Sequence, residues 1–423
     1  MLPRGREPRL DPDHPGEGRG GHQIEPGLTV VGKASLAFQA QCRVTLALAA
    51  PALVALIPMA VASALPAMAR DLAPGRDGAF FAQMIMTMPA IMLILGAPAA
   101  SIACERIGIR TTFAAAAALF TVAGSAGLLL SGFTALAATR LLLGLSGGAL
   151  QTCTLALVGR WYAPGGRERV LGNIVSVSSA AAIGGLVLGG RLVDLFGWRG
   201  AFSLYLLGVP VLILVLLAVE RGVAGERPPR GGSLAALKPL MLYYALILAF
   251  TLAMFMPGIQ GPFLVAAKGI EGAATAGLIV AACPLGATLS SAMFAALRAR
   301  VDALPLLAAT ALLMGAGCLI AAAAGGAPAL LIGFAVIGVG AGLVEPNIGS
   351  TILGRTPHAL HARASSIMIS AMFIGQFLNP LAADPLRTAL GANGAFIGVG
   401  VATSALGLLL AALAAFRRSA APC

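Results

Sequence analysis

Two charged side chains stand inside apolar stretches of this sequence, and both could do chemistry there. Arg140 lies one and a half turns or so into the run from Thr134 to Arg160. Glu345 lies in GLVEPN, inside another such run. About 20 apolar helical residues cross a bilayer core, and both runs are longer. A guanidinium at that depth costs on the order of 3 kcal/mol unless it faces a protein interior or a wet cavity. A carboxyl at that depth can be neutral in one conformation and charged in another, so it can take up and release a proton. Structural roles remain open for both. Arg140 can be an anchor, and Glu345 can pair with Arg355 or Arg363 or cap a break at Pro346.

The surroundings of Arg140 recur later in the chain. Gly144, Ser146, Gly147 and Gly148 follow it, small residues that let membrane helices approach closely. Gln151 falls three turns below it on the same face. A shift of 194 places Gly144 on Gly338, Gly148 on Gly342, Gln151 on Glu345 and Arg106 on Arg300. With a gap of one residue, Arg160, Pro164 and Arg169 return as Arg355, Pro357 and Arg363. Such self-similarity predicts two homologous halves. The equivalent of Arg140 is Phe334, 11 residues before Glu345. That is roughly 16 Å of helix rise, too far for a simple ion pair between levels. Substrate, water or a conformational change would have to bridge them.

A chain that is 58% hydrophobic and 10% charged, with mean hydropathy +0.92, is a membrane protein. The net charge of +12 includes no dense basic face with interleaved aromatics, so no nucleic-acid partner is expected. Six cysteines without paired spacing suggest neither disulfides nor a zinc site, and His358 with His361 makes no metal site. Phosphate-binding, hydrolytic and zinc-protease motifs are absent, so the sequence calls for no cofactor and for no enzyme.

Hydropathy predicts an all-α protein of twelve transmembrane helices. The first six spans fall near 44–66, 79–101, 111–131, 134–158, 171–191 and 200–219. The second six fall near 239–258, 274–297, 304–324, 328–353, 365–383 and 394–416. The expected organisation is a disordered tail 1–38, bundles 39–219 and 239–416, a linker 220–238 and a C-terminus 417–423. With the N-terminus inside, the inner loops carry thirteen Lys or Arg residues, against six in the outer loops. Both termini are therefore expected to be cytoplasmic.

Further candidates are softer. Gln83, Met84, Met88 and Met92 fall at helical spacing, where Met88 can contribute to a pocket for apolar ligands or simply pack. Tyr243, Tyr244 and Phe255 can stack, and Gln376 and Asn379 can hydrogen-bond a substrate or bridge helices.

Particular motifs resemble the major facilitator superfamily. Ser101 to Arg110, SIACERIGIR, is similar to that family's loop between helices 2 and 3, with Glu105, Arg106, Gly108 and Arg110 at motif positions. Serine replaces its first glycine, glutamate its aspartate and isoleucine one basic residue, and Ala103 and Cys104 also depart from it. The resemblance implies a conformational latch at the cytoplasmic side. Arg140-x-x-x-Gly144 resembles the helix-4 motif, whose arginine is linked to proton transfer. Arg160-Trp161-Tyr162-Ala163-Pro164 looks like the loop that follows, and Gly197-Trp198-Arg199-Gly200-Ala201-Phe202 resembles the start of helix 6. Gly185 to Gly190 approaches the antiporter motif of helix 5 but lacks its proline, so Gly189 and Gly190 read as a packing seam. Phe373 to Pro380 looks like bacterial members.

The resemblance implies a monomeric secondary transporter in a bacterial inner membrane, its two halves rocking around a midplane site lined by helices 1, 4, 7 and 10. The expected partners are a small-molecule substrate, protons and the lipid bilayer. Its drug-antiporter branch often has an acid in helix 1, which is missing between Val44 and Pro66, leaving Glu345 to carry proton coupling. Proton-linked export of small organic molecules is favoured over uptake of an anionic metabolite bound by Arg140. A membrane sensor or scaffold that has lost transport is the reading from another class.

Overall fold

A computed structural model describes residues 28–72, 77–221, 234–357 and 360–419, and among them there are helices but no strand. The expected tail up to residue 27, most of the linker, His358 and the last four residues lie outside the described residues. The spans are α1 (Ala37–Ala62), α2 (Gly78–Ile107), α3 (Ile109–Leu128), α4 (Phe133–Trp161), α5 (Gly166–Phe196) and α6 (Trp198–Ala218). The second half has α7 (Leu237–Ile259), α8 (Ala273–Ala292), α9 (Ala303–Ala323) and α10 (Ala327–Gly354), then one apolar segment, Arg363–Phe416.

That last segment has 54 residues. As one helix it would be about 80 Å long, far more than a bilayer core of about 30 Å. It breaks at Gly391, where φ is 75° and ψ is 179°. That left-handed φ favours glycine. The break gives α11 (363–390) and α12 (392–416), and twelve spans among the described residues.

Several boundaries differ from the expected ones for local reasons. Residues 28–38, assigned to the tail, are helical and continuous with α1. The first span ends at Ala62 because the chain turns at Ser63 and Ala64 before Pro66, and a short helix Leu65–Leu72 follows. The seventh helix is broken at Phe255 and again at Gln260, then continues as Gly261–Ala267. Pro257 and Pro262 follow those breaks and remove helix donors there.

The two halves pack alike. In the first, α2 lies on α4, α3 on α6 and α1 on α5; in the second, α8 lies on α10, α9 on α12 and α7 on α11. The offset of 194 is preserved at atomic level. A Cβ on Gly144 would collide with the carbonyl oxygen of Pro89, and one on Gly338 with that of Cys283, 194 residues on. Likewise Gly148 meets the carbonyl of Leu93, and Gly342 that of Ala287, again 194 on. Lipid offers no hydrophobic drive for helix association, so such close backbone contact is what holds these pairs. The halves meet where α5 packs on α8 and α2 packs on α11.

Gly144→Leu and Gly338→Leu should each destabilise the protein by about 1–3 kcal/mol or more through overpacking. Their thermal unfolding temperatures in detergent should fall together, while Gly172→Leu, where a Cβ would meet nothing within 4 Å, should match wild type.

Candidate functional site

The halves are closed on each other at one end. The C-terminal part of α5 lies against the N-terminal part of α8: Gly190 fits under the carbonyl of Ala273, and Gly277 under that of Leu186. Gly189 fits under the carbonyl of Ala60 in α1. Asp194, in the last turn of α5, accepts the backbone N–H groups of Ala273 at 2.7 Å and Ala274 at 3.0 Å. Beside this, Gln83 of α2 and Gln260, just past α7, exchange amide hydrogen bonds at 3.2 and 2.9 Å, with both side chains almost fully buried.

At the other end the halves part. The first turns of α5 are exposed on nearly every side, and Gly159, Gly166 and Gly172 have no neighbour within 4 Å of a Cβ position. Leu285 and Leu289 in the later part of α8, and Met293 just past it, are exposed as well. Gln151 and Glu345, equivalent in the two halves, are both exposed on this open side. Glu345 sits nine residues before the end of α10, roughly 13 Å of rise. At 100° per residue it shares a face with Phe334, Gly338 and Ala341, all buried, while the exposed Ile332 and Val339 point elsewhere. Glu345 therefore continues the face of α10 that packs on α8 and α12, and it is exposed beyond the point where those helices cover that face.

Arg140 occupies a different place from the one expected. Its side chain is 1% exposed. One terminal nitrogen, Nη2, donates to the carbonyls of Ala123 at 2.6 Å and Gly124 at 2.8 Å, near the C-terminus of α3. The guanidinium carbon lies 4.9 Å from the ring centre of Phe202 and 5.3 Å from that of Tyr205, both in α6. Carbonyls at a helix C-terminus carry partial negative charge and aromatic faces attract cations, so the pocket compensates the charge without an acid. The second half explains the location. Phe334, equivalent to Arg140, stacks at 5.9 Å on Phe396, which is equivalent to Phe202. This is a core position between the fourth and sixth helices of each half. Arg140 thus does not line the open cavity, and its contacts are separate from Glu345.

The remaining candidates divide between packing and surface. Asn379 is fully buried and donates to the carbonyl of Leu252 at 2.7 Å, next to the break in α7, so it bridges helices. Gln376, one turn earlier, is buried as well. Tyr243 is half-buried beneath the Arg355 guanidinium at 5.1 Å, at the open end. Met88 is half-buried, while Met86 and Met59 approach Gly258 near the closed end. In the loop between α2 and α3, Gly108 adopts φ 84°, and its carbonyl accepts the Thr112 N–H. Glu105 and Arg106 are exposed, and Arg110 donates to the carbonyl of Leu216 in α6 at 2.8 Å. The motif at the start of α6 is explained by contacts: Trp198 donates to Asp71 at 2.6 Å, and Phe202 underlies Arg140.

Sequence reasoning passed over Asp194. Its signal was indirect: α8 begins after Gly272, which offers no side-chain oxygen to cap the helix.

Arg140→Ala should leave two carbonyls and an aromatic-walled void, a loss on the order of 2–4 kcal/mol. A lowered unfolding temperature in detergent, present without any substrate, checks this.

Known proteins share parts of this sequence and most of this architecture. Multidrug resistance protein Stp of Mycobacterium tuberculosis is 31% identical over 170 residues, 40% of this chain and 31% of that protein. The tetracenomycin C resistance and export protein of Streptomyces glaucescens is 31% identical over 129 residues, 30% of this chain and 23% of that one. The chain thus spans less than a third of the length of these curated relatives. A crystal structure of a POT family transporter in complex with 5-aminolevulinic acid superposes with a TM-score of 0.69, covering 86% of this chain and 95% of that one at 13% identity. That likeness concerns the fold alone. A sequence model of the Major Facilitator Superfamily matches residues 47–380, and the chain, a multi-pass membrane protein, belongs to that family.

Proposed function

We propose that this transporter exports small organic molecules, lipophilic cations foremost, in exchange for protons. The carrying observation is Glu345, a carboxylate inside α10 that is exposed at the parted end of the halves. In a largely apolar setting such a group binds either a cation or a proton, and competition between the two couples their movements. Spans with few polar residues suit mostly apolar cargo better than sugars, whose hydroxyls need many partners. Export agrees with the names of the partial relatives, a multidrug resistance protein and an antibiotic resistance and export protein.

The open end carries Arg160, Arg167, Arg169, Arg298, Arg355 and Arg363, so by the positive-inside rule it faces the cytoplasm. Both termini are then cytoplasmic, in a bacterial inner membrane, and the conformation is the one that loads cargo from inside. Uptake of an anionic metabolite held by Arg140 is disfavoured, because that guanidinium is enclosed by α3 and α6. The protein works as a monomer, with the rocking interface formed between its own two halves.

Substrate-induced proton movement in proteoliposomes tests the reading across lipophilic cations and organic acids. Proton flux with cations is expected in wild type, and Glu345→Gln should reduce it to the background of empty liposomes. Flux with acids alone, insensitive to Glu345, would favour uptake. An absence of flux with every compound would favour the sensor or scaffold.

A further inference from the structure

We propose that Asp194 is a positioning residue for the transport cycle, a clasp that holds the outer end shut by capping α8 across the two halves. The first N–H groups of a helix have no partner within it, and an acceptor normally comes from the residue just before. Here that residue is Gly272, at φ 88°, with no side chain to offer. Both oxygens of Asp194 supply the missing acceptors, one to Ala273 and one to Ala274. A carboxylate on the positive end of a helix makes a charge-assisted bond, stronger than a neutral one.

The position of this cap gives it a function beyond helix stability. Asp194 belongs to α5 in the first half, and α8 belongs to the second. The neighbouring close contacts, Gly190 on Ala273 and Gly277 on Leu186, cross between the same two helices. The buried Gln83–Gln260 pair crosses between halves nearby. All these bonds must part if the halves open at this end, so they exist in one conformation only. Asp194 is exposed, so water can replace it in the other state, whereas the Gln pair must first be wetted. The carboxylate therefore sets the balance between the two openings, and removing it shifts the population outward.

Hydrogen exchange read by mass spectrometry on the full chain in lipid nanodiscs tests this, and it rests on the alternating-access reading but uses neither substrate nor a proton gradient. Failure of proton-coupled export would leave the result intact. In Asp194→Ala, exchange should rise about tenfold at the start of α8 and also around Gln83 and Gln260, with slower exchange over residues 166–176. Asp194→Asn, which keeps one acceptor oxygen, should give the same pattern more weakly even if the alanine variant does not fold. Asp194→Glu should behave as wild type. A change confined to residues 273–276 in the alanine or asparagine variant would mean a frayed helix end and overturn the proposal, as would wild-type exchange in both.

Discussion

Helices α4 and α10 lie so close to α2 and α8 that no side chain fits between them at six glycine positions. The rest of the architecture depends on this contact. Within lipid, apolar side chains gain nothing by leaving one tail for another, so cohesion comes from dispersion between surfaces that match closely. Each half is therefore built on a pair of backbones in direct touch, and the same carbonyls meet the same glycines after 194 residues. Rigid halves follow from this. Relative motion is left to the interfaces between halves, α5 on α8 and α2 on α11.

The halves share a frame but differ in polarity. Where the second half stacks Phe334 on Phe396, the first places the guanidinium of Arg140 over Phe202 and Tyr205. Where the first half has Gln151, the second has Glu345. A duplicated scaffold thus received one cation in its core and one acid on its open surface. The cation is held by carbonyls and rings, with no acid among its described contacts.

Much of this was legible in the sequence, for physical reasons. Hydropathy locates spans because the bilayer admits only long apolar helices, and the repeat offset located equivalent packing positions to the residue. The environment of Arg140 was harder to read. A buried cation in a span signals a special site, but helix rotation decides whether it faces a cavity or a neighbouring helix. Phe334 at the equivalent position was the available hint that the site is a core one. Asp194 escaped notice because its partners are backbone groups 79 and 80 residues away, which carry no side-chain signature. Boundaries drifted where proline or glycine reshaped a helix, at Ser63, Phe255 and Gly391.

Gly391 has a mechanical meaning. A single residue joins α11 to α12, so there is no slack between them. A loop of several residues would act as a hinge and let one helix tilt while the other stayed still. Here the two behave as a bent rod: a tilt of α11 against α2 is passed through the elbow to α12, and from there to α9 on the far side of the bundle. Movement at the interface between halves is thereby carried to the lipid-facing edge of the protein, where the surrounding bilayer can resist or favour it.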